Sequence, residues 1–114
     1  MNQKNKIDWT RFRVNVDDIT FVAQGLNRPE CVLCNSDGDL FVSDARGGIH
    51  IISAQGDQRF LDGAIIPTIK PNGISLCRDG SFLVADIAHG GVYRIGSDGK
   101  ASLFLKEVDG VPLP

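Results

Sequence analysis

Short apolar stretches alternate along the chain with glycine-containing turns, and the spacing of the stretches repeats. Four stretches lie between Arg28 and Leu61, and four more lie between Lys70 and Leu105. They are rich in β-branched and aromatic residues, and no helical period of 3.6 residues runs for long in any of them. The pattern therefore predicts an all-β chain of short strands joined by tight turns.

The predicted strands form two sets of four. The first set is Cys31–Cys34, Leu40–Ser43, Ile49–Ile52 and Gln58–Leu61, and the second is Gly73–Leu76, Phe82–Ala85, Val92–Ile95 and Ser102–Leu105. The turns place glycine where a tight hairpin requires positive φ, at Asp37-Gly38, Gly47-Gly48, Gln55-Gly56, Asp79-Gly80, Gly90-Gly91 and Asp98-Gly99. One further run, Ile19–Ala23, matches the last stretch of each set and predicts a stray outer strand.

The two sets are copies of one repeat. Pro29 and Asp44 recur 42 positions later as Pro71 and Asp86, and after one inserted residue the offset becomes 43. A repeat of this length, built of four strands, is typical of one blade of a β-propeller. The sequence predicts two four-stranded blades, about one third of a six-bladed propeller. The blade repeats are 28–63 and 70–110 within a unit 19–114, preceded by a loosely ordered arm 1–18.

Two blades cannot form a ring, because propellers have roughly four to eight. Such a unit would leave sheet faces and edges open to water, which favours association. Two arrangements remain open. The chain is either the first part of a longer propeller, or copies assemble through their open blade edges, most simply three chains closing a six-bladed ring.

Charge and composition exclude several classes of function. The 114 residues carry a formal net charge of −2, so a basic face for nucleic acid is not expected. The chain has neither an apolar leader nor about 18 consecutive apolar residues, so we expect a cytoplasmic protein without membrane contact. Cys31 and Cys34 form a CxxC that falls in a predicted strand, where the two side chains point to opposite faces. We expect these cysteines and Cys77 to be buried small hydrophobes.

The first strand of each repeat is preceded by a basic residue, a proline and a polar residue. These are Arg28-Pro29-Glu30 and Lys70-Pro71-Asn72. In a propeller both would line the mouth of the central channel, where Glu30 and Asn72 offer oxygen ligands suited to Ca²⁺, Mg²⁺ or Mn²⁺. The alternative is that both are turn and capping residues, since two ligands are too few for a cation cage.

The runs RPECVLCNSDGDLFVSDARGGI and KPNGISLCRDGSFLVADIAHGGVYRI resemble the first blades of the senescence-marker-protein/gluconolactonase/luciferin-regenerating-enzyme family. The resemblance covers about Gly25 to Pro114. It implies a six-bladed, metal-dependent hydrolase of sugar lactones or similar cyclic esters, using Ca²⁺, Mg²⁺, Mn²⁺ or Zn²⁺. It implies Glu30 as a metal ligand and Asn72 and Lys70 as substrate-binding residues. The family's further ligands and general base lie in blades that these runs do not cover, so the catalytic residues are unknown.

Asp44 and Asp86 end the second strand of each repeat. Their equivalent positions favour a structural role, binding backbone amides at the turn. His50 corresponds to Tyr93 and His89 lies in a turn, so neither is expected to be a paired ligand or base. The alternative function is a non-catalytic propeller module that oligomerises and binds a ligand or partner. A strictosidine-synthase-like propeller with other chemistry is a third possibility, because the DG-x-L-x-V-x-D phrase recurs in that class.

Overall fold

The computed structural model describes residues 6–64 and 68–114. Two single-turn 3-10 helices, Trp9–Arg11 and Val16–Asp18, precede ten strands. The strands are β1 (Val32–Cys34), β2 (Leu40–Asp44), β3 (Gly48–Ile52), β4 (Gln58–Asp62), β5 (Pro71–Leu76), β6 (Phe82–Asp86), β7 (Val92–Ile95), β8 (Ala101–Leu105), β9 (Glu107–Val108) and β10 (Val111–Pro112).

The strands β1 to β8 form two antiparallel sheets of four. The first sheet has the order β1-β2-β3-β4, and the second has the order β5-β6-β7-β8. All eight predicted strands are thus confirmed, with ends that differ by at most two residues from the prediction. Neither sheet closes on itself in the described residues, so the propeller stays a prediction, as do the proposed domain boundaries.

The turns repeat as the strands do. Gly38 N–H donates to the Asn35 carbonyl at 3.2 Å, and Gly80, 42 positions later, donates to the Cys77 carbonyl at 3.0 Å. Both glycines have φ values above +80°, in the left-handed region that side chains disfavour. The predicted glycine turns are therefore confirmed in both copies, and each turn fixes the register of its hairpin.

The core lies between the two sheets. β5 contacts both β1 and β2, and the rings of Phe41 and Phe82 pack with their centroids 5.3 Å apart. The buried apolar cluster draws on both sheets and on the segment before β5, and comprises Phe41, Ile49, Leu61, Ile69, Ile74, Phe82, Val84 and Ile95. Each fully buried side chain of this size contributes about 1.5–3 kcal/mol. The two repeats are therefore held together chiefly by apolar burial.

The prediction of a stray outer strand is wrong for this chain by itself. Ile19–Ala23 has no strand assignment, and Phe21 is 91% exposed. A strand needs a hydrogen-bonded neighbour, and this run pairs with none of the described strands. The opposite error occurs near the C-terminus, where β9 and β10 form an unpredicted hairpin. Its turn residues Asp109 and Gly110 both have positive φ, as a type I′ turn requires.

The cysteines differ from the prediction in burial. All three are free thiols, but only Cys31 and Cys77 are partly buried, whereas Cys34 is exposed. Cys34 follows Leu33, which packs against the core, and successive strand residues point to opposite faces. Cys34 therefore points away from the second sheet. Within residues 6–64 and 68–114 no helix has the length and apolarity needed to cross a bilayer.

Candidate functional site

The segments that precede β1 and β5 are tied to the turns that follow β2 and β6. Ala45 N–H donates to the Asn27 carbonyl at 2.9 Å, and Ile87 N–H donates to the Lys70 carbonyl at 3.1 Å. This places residues 27–30, 44–48, 69–72 and 86–91 at one end of the two sheets, which we call the upper end. The candidate residues predicted from the sequence lie in these segments.

Asp44 is the main anchor of the upper end in the first sheet. Its carboxylate has no exposed side-chain surface, and it accepts hydrogen bonds from the backbone N–H of Asn27 and of Arg46, both at 2.9 Å. The Arg46 guanidinium donates to both carboxylate oxygens, at 2.8 and 2.6 Å. Burial alone would raise the pKa of Asp44, but these hydrogen bonds outweigh it and lower the pKa to about 2. The predicted structural role is confirmed.

Asp86 is the corresponding anchor of the upper end in the second sheet, with different hydrogen-bond partners. It is buried and accepts hydrogen bonds from the backbone N–H of Lys70 at 2.8 Å, Ala88 at 2.9 Å and His89 at 3.2 Å. Burial opposes ionisation, yet the hydrogen bonds from Lys70, Ala88 and His89 prevail and the pKa of Asp86 is lowered. An ionised Asp86 therefore fixes the backbone of Lys70, one of the predicted substrate-binding residues.

Each anchor also contacts a histidine, which the sequence did not predict. His50 Nε2 lies 3.1 Å from Asp44 Oδ2, and His89 Nδ1 lies 3.1 Å from Asp86 Oδ2. The expectation that neither histidine is a paired ligand or base stays a prediction, because these contacts are with the two structural aspartates. A position-by-position comparison of the two repeats does not reveal either pair. His50 contacts its aspartate from β3, whereas His89 contacts its aspartate from the turn after β6. The usable signal was a histidine close in sequence to each repeated aspartate.

The two pairs differ in what they offer to a ligand. The His50 side chain is buried, and its Nδ1 has no hydrogen-bond partner in the described part of the chain. Its ring packs on Phe60 at a centroid distance of 4.9 Å. The His89 side chain is 40% exposed. His89 is therefore the imidazole of the upper end that solvent can reach.

Glu30 lies two residues before β1 and pairs with a residue close to it in sequence. Its carboxylate is 2.7 Å from the Arg28 guanidinium, and the two side chains are 36% and 56% exposed. Such an exposed pair is worth about 0–1 kcal/mol, so a cation could compete with Arg28 for the carboxylate. Arg28 has φ of 51°, an uncommon conformation for a residue with a side chain.

Asn72 lies in β5 and is partly buried, whereas Lys70 is exposed just before that strand. This segment lies close to the Glu30 segment. The Cys31 thiol is 3.8 Å from the Ile74 carbonyl and donates a weak hydrogen bond to it. Glu30 precedes Cys31, and Asn72 is two residues before Ile74. The predicted candidates thus lie at neighbouring strand starts on the upper end.

The described residues do not form a complete metal site. Across residues 6–64 and 68–114 no group of three or more His, Cys, Asp or Glu side chains is placed to hold an ion. Glu30 and Asn72 supply two oxygen donors, whereas Ca²⁺ takes about six to eight and Mg²⁺ about six. The described residues therefore offer part of a cation site.

Comparisons with protein-family models, with curated proteins and with solved structures find no match. The family resemblance consequently rests on the two repeated runs, Arg28 to Ile49 and Lys70 to Ile95. The geometry of the upper end is independent of this resemblance and concerns only the positions of Glu30, Lys70 and Asn72.

Proposed function

We propose that the chain forms two adjacent blades of a propeller that hydrolyses a sugar lactone or a similar cyclic ester with a divalent cation. The observation that carries this proposal is the approach of β1 and β5, marked by the contact between Cys31, just before β1, and the carbonyl of Ile74 in β5. The segments that carry the exposed carboxylate of Glu30 and the amide of Asn72 therefore lie next to each other, one on each sheet. The resemblance in the two repeated runs supplies the reaction class.

Within this proposal the residues of the chain bind and orient the substrate. Lys70 is exposed and its backbone is fixed by Asp86 at 2.8 Å, so its ammonium can reach a lactone carbonyl or hydroxyl. Asn72 can donate and accept hydrogen bonds through its amide. Glu30 would be one ligand of the cation, and ligands beyond Glu30 and Asn72 would have to be supplied by the rest of the completed propeller. We expect weak or no hydrolysis by this chain by itself.

The proposal is tested by measuring cation binding together with hydrolysis. Calorimetric titrations with Ca²⁺, Mg²⁺, Mn²⁺ and Zn²⁺ are run on the wild type and on Glu30→Gln. The variant removes the charge and one hard ligand, and we expect its affinity for the preferred cation to fall by about tenfold or more. Glu107→Gln is the matched control, because Glu107 is exposed in the β9–β10 hairpin.

Equal affinity in Glu30→Gln and Glu107→Gln would remove Glu30 from the site. Lactone binding and lactone hydrolysis are both measured in parallel, with and without each cation. Cation binding that depends on Glu30 without any lactone binding by the chain would retain the cation site and refute the assignment of Lys70 and Asn72 to substrate binding.

A further inference from the structure

A cavity opens between the two sheets at the end of the strands opposite the upper end. Its volume is about 340 Å³, within the range of pockets that hold small molecules. The first sheet contributes side chains of β2, β3, β4 and the β1–β2 turn, and the second contributes β5, β6 and the turns after β5 and β7. We call it the lower cavity. Glu30, Lys70 and Asn72 lie at the other end of the strands.

The walls of the lower cavity are apolar and come from both sheets. Phe41, Leu61 and Phe82 belong to the buried core, and Ile51 packs against it. Leu76 also lines the cavity but is 37% exposed. A ligand in the cavity would therefore cover apolar surface that the fold leaves in contact with water.

Two arginines line the same cavity, one from each sheet. Arg59 in β4 is the cross-strand neighbour of Ile51, which places it on the face of the first sheet that packs on the core. Arg78 lies in the turn between β5 and β6. Both residues are exposed. Two cationic groups therefore border an apolar cavity.

Neither of these arginines has an ionic partner among the described residues. Arg46 and Arg94 each bind an aspartate. By contrast, no carboxylate that the structure describes comes within ion-pair distance of Arg59 or Arg78. Both guanidinium groups are therefore available to an anion from solution.

One carboxylate, that of Asp39, also lines the lower cavity. It accepts hydrogen bonds from the backbone N–H of Ala54 and from the side-chain amide of Asn35, both at 3.1 Å. The carboxylate is thus bound within the first sheet. Since two guanidinium groups face one carboxylate, the lining keeps a net positive charge.

The repeat argues against a structural role for either arginine. Moved forward by 43 positions, Arg59 becomes Ser102, and moved back by 42 positions, Arg78 becomes Ser36. Both sheets nevertheless have the same order of four strands. The fold of the repeat does not require arginine at these positions, and the two charges belong to the junction at which the first sheet meets the second.

We infer that the lower cavity binds a small molecule that carries an oxyanion, a carboxylate or a phosphate, on an apolar body. The planar guanidinium group donates two parallel N–H bonds to such an oxyanion, and Arg59 and Arg78 supply two of these groups. The apolar body would lie against Leu76 and Ile51. This site is separate from the one under Proposed function and does not depend on lactone hydrolysis.

Naphthyl phosphate is the probe, and its binding to the full-length chain is followed by amide chemical shifts in NMR titrations. We expect the amides of Asp39, Cys77 and Gly80 to shift, since these residues line the cavity. Arg59→Ser and Arg78→Ser should each weaken binding by about tenfold or more, because each removes charge-assisted hydrogen bonds. Serine is the residue that the other repeat carries at each position, and the amides of the upper end check that both variants are folded.

Arg13→Ser, in the exposed arm, is the matched control for the change in charge and should bind like the wild type. Naphthoate replaces the phosphate by a carboxylate, and the tighter of the two compounds identifies the preferred oxyanion. Inorganic phosphate lacks the apolar body and naphthol lacks the charge, so both should bind about tenfold or more weakly. Equal binding of either, or unchanged affinity in Arg59→Ser and Arg78→Ser, would overturn the inference. The same holds if neither naphthyl anion shifts the cavity amides up to about 10 mM.

Cys77 provides a second readout of occupancy. Its thiol is free and partly buried, and Cys77 lines the cavity, whereas Cys34 is exposed and lies outside the lining. Bound naphthyl phosphate should slow the alkylation of Cys77 by iodoacetamide several-fold and leave the alkylation of Cys34 unchanged, as peptide mass spectrometry measures. Equal protection of the two thiols, or none at Cys77 at saturating ligand, would refute binding in the lower cavity.

Discussion

Replacing Asp44 by asparagine tests whether a buried carboxylate holds the upper end together. Asn27 and Arg46 donate two backbone N–H groups to this side chain, and the Arg46 guanidinium donates to both oxygens. Asparagine keeps the shape but has one acceptor oxygen and turns an N–H₂ group toward these donors. We therefore expect Asp44→Asn to fold with reduced stability and a loosened segment before β1.

The size of the effect follows from the pKa of Asp44. Its fall from 3.8 to about 2 corresponds to about 2.4 kcal/mol, because one pKa unit is worth about 1.4 kcal/mol. Solvent screening reduces the share owed to Arg46, because its side chain is half exposed. At pH 7 we expect Asp44→Asn to cost about 2 kcal/mol of unfolding free energy.

The pH dependence has a definite sign. A carboxylate whose pKa is lowered by folding stabilises the native state above its unfolded pKa, and the stabilisation is lost as the pH falls through the folded pKa. For Asp44 the window runs from about pH 4 down to about pH 2. The stability difference between the wild type and Asp44→Asn should therefore shrink by about 1 kcal/mol between pH 7 and pH 3.

Urea unfolding at pH 7, 4 and 3, followed by circular dichroism, measures both effects. The comparison must be made between the two proteins, because Asp79 also has a lowered pKa, through hydrogen bonds from Ser81 and Arg94. A difference that stays constant from pH 7 to pH 3 would refute the claim that the Asp44 charge holds the turn. Unchanged stability at pH 7 would refute the anchoring role itself.

The remaining predictions concern backbone positions. Gly48→Ala should cost more than about 3 kcal/mol in urea unfolding, because a Cβ there would overlap the Leu61 carbonyl. Gly56→Ala, in open space at φ +92°, should cost about 1–2 kcal/mol; equal costs for both would contradict the steric argument. Arg28→Gly should change stability by less than about 1 kcal/mol, since it relieves the positive φ and loses only an exposed ion pair. It should strengthen cation binding at Glu30 in calorimetry, and weaker binding would show that Arg28 supports the site.

The strands and turns could be predicted because they depend on local rules. Alternation of apolar residues sets the strand faces, and a glycine after an aspartate sets the hairpin turn, as at Asp37-Gly38 and Asp79-Gly80. These rules apply equally in both copies, so they predict the same strands and turns in each repeat. Ile19–Ala23 follows the same local rules but does not form a strand. A strand also requires a hydrogen-bonded partner, which local sequence does not guarantee.

The histidine contacts could not be predicted from the repeat. Equivalent positions carry His50 and Tyr93, and His89 has no histidine at the matching position of the first repeat. Each histidine nevertheless reaches the anchor aspartate of its own sheet. Both sheets therefore have a contact between a histidine and the anchor aspartate, but the histidine lies at a different position of the repeat in each. A position-by-position comparison of the two repeats does not detect such a contact.

The two sheets also differ in how the segments that carry Glu30 and Asn72 are anchored. Asp44 holds the backbone of Asn27, three residues before Glu30, whereas Asp86 holds Lys70, two residues before Asn72. In the first sheet the basic residue Arg28 is therefore not held, and it turns to φ 51° and pairs with Glu30. In the second sheet the backbone of Lys70 is fixed, because its N–H donates to Asp86. The anchor thus differs by one residue between the sheets, and one basic side chain pairs with Glu30 whereas the other is exposed.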